Sequence, residues 1–166
     1  MSKQIDSNML KAIRLIAFDV DGVFTDGRFY LSDDGVESKA FHTQDGFGIR
    51  RLIESGIDVA VISGRKSNAV VRRMQELGVQ HVELGCSDKV AAFDLILERL
   101  GLDLSQTAYT GDDVPDLPLL MHAGVSFAVA NAVAEVRDAC DYVTIAHGGS
   151  GAVREICDLL CAESKQ

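Results

Sequence analysis

Two aspartates, Asp19 and Asp21, follow the apolar run LIAF inside the stretch FDVDGVFTDG. Ser63 of ISGR, Lys89 of SDK, and Asp112, Asp113 and Asp116 of GDDVPD stand after later apolar runs. An aspartate pair by itself is commonplace, since Asp favours turns and solvates loops. The whole set acquires a chemistry if the substrate is a phosphate ester. A carboxylate attacking phosphorus meets a dianion, and that repulsion has to be cancelled by cation charge held close to both groups. Oxygen ligands select a hard cation such as Mg²⁺, and Asp19, Asp112 and a backbone carbonyl at Asp21 can supply them. Lys89 adds a fixed positive charge for the phosphate, while Ser63 and backbone N–H groups supply hydrogen bonds. The Asp21 carboxylate is then free to protonate a departing alkoxide and afterwards to activate water against an aspartyl-phosphate.

Those residues need a scaffold that carries them to one place. Stretches of strand character recur as RLIAFDV, IDVAVIS, VQHVEL, TAYTGD and GVSFAV, with helical patterns between them. Ile49, Leu52 and Ile53 share a helical face, as do Val70, Met74 and Leu77, and again Val90, Phe93, Leu97 and Leu100. Gly56, Gly78 and Gly101 follow these patterns, where helices stop. The alternation predicts an α/β fold, a doubly wound, Rossmann-like parallel sheet with helices on both faces. The segment RFYLSDDGVESKAFH breaks the rhythm and reads as two short strands around Asp34-Gly35, a β-hairpin flap over about residues 28–42. Ligands of such sheets bind beyond the carboxyl ends of the strands, so the acidic groups face one crevice. Residues two apart on an ideal strand point to opposite faces, which puts one of Asp19 and Asp21 past the strand's end, where Gly22 permits a turn.

With 166 residues the chain is expected to be a single domain, 1–166, with one core and no separate cap domain. A net charge of −9 argues against nucleic acid, whose phosphates it would repel. The opening MSKQIDSNMLKAI lacks the continuous apolar segment of a signal peptide, and no later run approaches the roughly 20 apolar residues that cross a bilayer. The expectation is a cytoplasmic protein with no membrane partner. Cys86, Cys140, Cys157 and Cys161 form no CxxC pair and read as buried free thiols.

DVDGVFT, ISGR, Lys89 and GDDVPD, in this order, resemble the four motifs of the haloacid dehalogenase-like phosphatase superfamily. The resemblance implies that Asp19 is the nucleophile, Asp21 the acid/base and carbonyl ligand, Ser63 and Lys89 the phosphate holders, and Asp112 a further ligand of Mg²⁺, with Asp116 supporting the metal's waters. The flap, FHTQDGFGIRRL, the ISGRKS turn and the tail HGGSGAVREICDLL are similar, nearly end to end, to the capless 3-deoxy-D-manno-octulosonate 8-phosphate phosphatases. That similarity implies hydrolysis of a sugar-acid phosphate, in lipopolysaccharide precursor biosynthesis. It also implies substrate contacts from Asp21, Lys89, His42, Thr43, Asp45, Gly46, Arg50, Arg65 and Arg73, and a homotetramer whose flaps and tails, about residues 146–166, close neighbouring sites. Gln44 stands at a contact position where the family usually has Arg, which removes a charge for the substrate's carboxylate or phosphate. Phosphatases of nine-carbon sialic-type acid 9-phosphates share most of these motifs and are the alternative.

Blander readings attach to some of these residues. His42 also suits a hydrogen-bonded position at the flap base, and His81 and His122 read as structural. HGGSG is no dinucleotide loop, because it comes late and lacks GxGxxG after a first strand. A receiver module uses similar residue types, but its phospho-acceptor ends the third strand, here VELGCS, which offers no Asp. An inactive scaffold on the same fold has no need of Asp19, Asp21, Ser63, Lys89 and Asp112 together.

Overall fold

The apolar run LIAF, buried at all its residues, forms β1 (Leu15–Phe18) in the middle of a six-stranded sheet. The structure is a computed structural model and describes residues 5–163. Before β1 lies α1 (Ser7–Ala12), capped by the Asp6 carboxylate, which accepts from the Asn8 N–H. After it come the hairpin strands β2 (Tyr30–Leu31) and β3 (Glu37–Ser38), then α2 (Thr43–Glu54), β4 (Asp58–Ser63), α3 (Asn68–Leu77) and β5 (His81–Leu84). The chain continues through α4 (Lys89–Leu100), β6 (Thr107–Gly111), α5 (Leu117–His122), β7 (Val125–Ala128), α6 (Ala134–Ala139), β8 (Tyr142–Val143) and α7 (Ala152–Glu163).

The strand order is β5-β4-β1-β6-β7-β8, and every pairing in this sheet is parallel. Parallel strands covered on both faces need near-continuous apolar sequence, which is what LIAF and the buried run 59–63 of β4 provide. From β1 the chain winds through α2 and α3 toward one edge, then crosses over α4 to β6 on the other side of β1 and winds toward the opposite edge. Right-handed crossovers put these two sets of helices on opposite faces. The contacts agree: α2 packs against α7 and α3, and α7 against α1, whereas α5 packs against α4 and α6. The winding reverses at β1, so a crevice opens beyond its carboxyl end.

The helical faces meet the core as their spacing requires: Ile49, Leu52, Val70, Met74, Leu77, Phe93 and Leu97 are buried, with Ile53, Val90 and Leu100 packed at the margin. The flap is present as an antiparallel pair, Tyr30 opposite Ser38 and Leu31 opposite Glu37, turning at Gly35 with φ +81°. One feature departs from the sequence reading: a sixth strand, β8, lies at the sheet edge, too short to have stood out in DYVTIA. In the tail, α7 buries Val153, Ile156, Cys157 and Leu160 against its own chain, mainly on α2.

Candidate active site

The ends of β1, β4 and β6 meet around a cavity of about 330 Å³ lined by Asp19, Asp21, Ser63, Arg65, Lys89 and Asp112. Asp19 follows β1 directly, and its N–H still bonds the Thr110 carbonyl of β6 at 3.0 Å, so the nucleophile candidate is fixed by the sheet itself. Beyond it the backbone folds over Val20, whose carbonyl receives the N–H groups of Val23, Phe24 and Thr25. The buried Thr25 hydroxyl accepts from the Gly22 and Gly27 N–H groups at 3.2 and 3.1 Å and closes the turn. Gly22 is needed here twice over: its φ is +88°, and a Cβ would run into the Asp112 carboxylate. The glycine after the aspartate pair therefore makes the room in which Asp112, just past the end of β6, approaches Asp19.

Lys89 opens α4, whose N-cap Asp88 accepts from the Ala91 N–H at 3.0 Å. Its ammonium donates to Asp19 Oδ1 at 2.9 Å and to Asp116 Oδ1 at 2.8 Å, and lies 3.3 Å from the Tyr109 hydroxyl. Asp116 is 1 % exposed, and its Oδ2 accepts from the Asp112 and Asp113 N–H groups while Oδ1 also accepts from Tyr109 at 2.7 Å. Asp116 thus acts as a clamp that sets the backbone of the GDD turn. Ser63 ends β4, almost fully buried, with its hydroxyl accepting from the Arg65 N–H at 3.3 Å.

The carboxylate oxygens of Asp19, Asp112 and Asp116 come within 4.8 Å of one another. Burial first, and then Asp116, push Asp19 up to about 6 against the pull of Lys89. Burial together with Asp19, Asp116 and Asp113 pushes Asp112 up to about 8. Burial would lower Lys89, but Asp19 and Asp116 override it and hold the ammonium above its usual range. Burial also keeps the Tyr109 phenol un-ionised, with help from the same carboxylates. The cluster therefore has an excess of negative charge and donors that are all oxygen, which fits a hard dication such as Mg²⁺. The Asp21 carboxylate lies apart from this cluster and pairs with Lys39, which leaves its main chain as the part that can face a cation.

The other expected contacts are placed differently. Arg65 reaches the cavity mouth, with Nη2 2.6 Å from Glu37 Oε2 and its guanidinium 4.3 Å from the Phe29 ring centre. His42 Nδ1 accepts from the Gln44 N–H at 3.2 Å and caps α2, the blander of its two readings. Thr43 and Gln44 are exposed on that first turn. Asp45 is 1 % exposed and its Oδ1 accepts from the Arg154 N–H at 2.9 Å, so it serves the N-terminus of α7 rather than the cavity. Gly46 is buried against the Arg73 guanidinium, which pairs with Glu76 at 2.8 Å, and Arg50 donates to the Glu76 carbonyl at 3.2 Å. None of 42–46, Arg50 or Arg73 lines the cavity within this chain. Lys39 and Tyr109, which bond the Asp21 and Asp116 carboxylates, escaped the sequence reading: one sits in the flap and the other inside an apolar strand run.

The haloacid dehalogenase-like hydrolase family matches residues 84–156. The 3-deoxy-D-manno-octulosonate 8-phosphate phosphatase of Escherichia coli (strain K12) is 47% identical over 148 residues, which span 89% of this chain and 79% of that protein. The crystal structure of the phosphatase of that name from Yersinia pestis superposes with a TM-score of 0.94 at 43% identity, covering 96% of this chain and 86% of that one. The corresponding structure from Moraxella catarrhalis, in complex with magnesium ion, phosphate ion and KDO, has a TM-score of 0.93 at 43% identity over 96% of this chain and 91% of that one. Sheet order, cavity and sequence thus converge, and the chain belongs to the 3-deoxy-D-manno-octulosonate 8-phosphate phosphatase family of haloacid dehalogenase-like hydrolases.

Proposed function

We propose that this Mg²⁺-dependent phosphatase hydrolyses 3-deoxy-D-manno-octulosonate 8-phosphate to the free sugar acid and phosphate through an aspartyl-phosphate on Asp19, a step in lipopolysaccharide precursor biosynthesis. The observation that carries the reading is the convergence of Asp19, Asp112, Asp116 and Lys89 at the crevice beyond β1. Asp19, Asp112 and the Asp21 carbonyl would hold the cation. When bound, Mg²⁺ supplies the positive charge that keeps the carboxylates ionised and offsets that of the phosphate.

The residues divide the work as follows. Lys89 orients Asp19 and lends its charge to the transferring phosphoryl group, with Ser63 donating a hydrogen bond. An Asp19 oxygen forms a bond to phosphorus as the bond from phosphorus to the sugar oxygen breaks, and Asp21 gives that oxygen its proton. Water then bonds to phosphorus, Asp21 takes the water's proton, and the bond to Asp19 breaks to release phosphate.

His42, Thr43, Gln44, Arg50 and Arg73, which do not line the chain's own cavity, fit a homotetramer in which a neighbour's surface completes the site. Exposed Tyr30, Leu31 and Val36 on the flap support that assembly. A cytoplasmic location agrees with the free thiols of Cys86, Cys140 and Cys157, and among the described residues no helix is long and apolar enough to cross a membrane. The test is phosphate release with Mg²⁺ from the eight-carbon 8-phosphate and a nine-carbon sialic-type 9-phosphate. A higher kcat/KM for the former is expected; a higher value for the latter reassigns the substrate, and no turnover of either overturns the reading.

A further inference from the structure

At the junction of flap and sheet, one lysine breaks the pattern of its surroundings. Lys39 follows β3 on a hairpin whose apolar side chains face solvent, yet its own side chain is fully buried. Its ammonium bonds Asp21 Oδ1, lies 3.3 Å from Glu37 Oε1, and sits 5.6 Å from the Phe29 ring centre. Glu37 is tied through its other oxygen to Arg65 at 2.6 Å, and Arg65 stacks on the same ring. Arg65 Nε approaches Asp21 Oδ2 only to 3.9 Å, beyond hydrogen-bond distance. A buried ammonium is costly unless its partners are fixed. Here those partners are one carboxylate of the flap and the carboxylate of the proposed acid/base.

We propose that Lys39 is a positioning residue for the phosphatase reaction, holding Asp21 by Oδ1 so that Oδ2 is the oxygen presented for proton transfer. A free carboxylate rotates about its terminal torsion, which is broad; one oxygen pinned from the flap removes that freedom. Glu37 and Arg65 in turn hold Lys39, so a correctly seated flap is what aims Asp21. The inference rests on the reading of Asp21 as acid/base.

Leaving-group dependence tests it, because kcat/KM covers the steps up to departure of the alcohol. The sugar ester must expel an alkoxide and needs a proton from Asp21, whereas 4-nitrophenyl phosphate expels a stable phenolate. Lys39→Met is expected to lower kcat/KM on the order of 10²-fold for the sugar 8-phosphate and less than about 3-fold for the nitrophenyl ester. Glu37→Gln/Lys39→Met, which removes the carboxylate that the single change strands, is expected to show the same selectivity. Asp21→Asn is the reference for an acid defect. If Asp21→Asn is selective and both Lys39 variants lose activity equally on the two esters, Lys39 only seats the flap and the proposal is overturned while Asp21 keeps its role. If Asp21→Asn is not selective either, both readings fall.

Discussion

The carboxyl end of the sheet and the flap sit side by side and are built in opposite ways. At the sheet end, Asp19, Ser63 and Asp116 are less than a tenth exposed, and the Lys89–Asp116–Tyr109 bonds tie three segments together. The flap has two-residue strands, and Tyr30, Leu31 and Val36 are 70%, 65% and 59% exposed. Buried polar networks are rigid when satisfied, whereas a two-stranded hairpin is marginal without a surface to pack on. The chemistry is thus preorganised inside one chain, and the covering element is left incomplete, joined to the site chiefly by the Lys39, Glu37 and Arg65 network.

Substitutions that strike the sheet end should have the largest effects. Asp19→Asn is expected to reduce turnover by at least ~10⁴-fold, as loss of a nucleophile does, with no aspartyl-phosphate trapped on quenching. Asp21→Asn should cost about 10²–10⁴-fold, the usual worth of general acid–base catalysis. Near wild-type turnover in Asp19→Asn would remove the covalent route. Glycines give a sharper contrast between the regions. The Gly149 N–H bonds the Val23 carbonyl at 3.0 Å, and a Cβ on Gly148 would overlap the Gly22 carbonyl oxygen. Gly148→Ala must therefore displace the turn behind Asp19 and Asp21, with a loss in kcat on the order of 10²-fold and weaker Mg²⁺ binding by calorimetry. In the flap, a Cβ on Gly35 meets nothing within 4 Å, so Gly35→Ala pays only the strain of its positive φ, about 1 kcal/mol. Equal losses from the two alanines would erase the distinction.

The electrostatics of the sheet end predict an unusual pH response. Asp112, pushed up to about 8, and Asp19, up to about 6, bind protons more tightly in the folded state than aspartates do in the unfolded chain, near 3.9. The unfolded state therefore holds fewer protons, and folding stability falls as pH rises through the window from about 4 to 8. Metal-free protein should lose several degrees of Tm over that range, and the gain in Tm on adding Mg²⁺ should grow with pH. Asp112→Asn, which carries no charge at any pH, should flatten most of the decline. An equally steep profile in that variant would place the effect elsewhere.

The same contrast explains what was legible in the sequence. Asp19, Ser63, Lys89 and Asp112 could be found because each follows an apolar run, and strand ends converge by topology. Tyr109 and Lys39 were missed because their roles depend on where their side-chain ends arrive, not on local pattern: a Tyr in an apolar strand reads as core, and a Lys in a hairpin reads as solvated. The bond from the Arg154 N–H to Asp45 Oδ1 is a long-range cap of α7 between residues 45 and 154 that no local spacing reveals. In the Gly-rich turn it is the absence of side chains at Gly148 and Gly149 that lets the backbone seat on Gly22 and Thr25, a close approach that no local pattern reveals.

The smallest expected effect on the isolated fold is also the one that tests the flap's incompleteness. Removing the chain from Ala146 onward would not serve, since it takes away buried Val153, Ile156, Cys157 and Leu160, and truncation of one such buried Leu or Ile already costs about 2–5 kcal/mol. Tyr30→Ser and Leu31→Ser act only on exposed surface, so each should change monomer stability by less than about 0.5 kcal/mol. In a tetramer built on the flap, the same changes strip apolar area from the interface and should lower the mass seen by light scattering at a given concentration. Because Asp19, Lys89 and Asp112 are untouched, Mg²⁺ binding should persist, while KM for the sugar ester rises as the neighbour's surface is lost. A wild-type protein that is monomeric and fully active would show that the flap works unaided, and would leave the sheet-end chemistry as it stands.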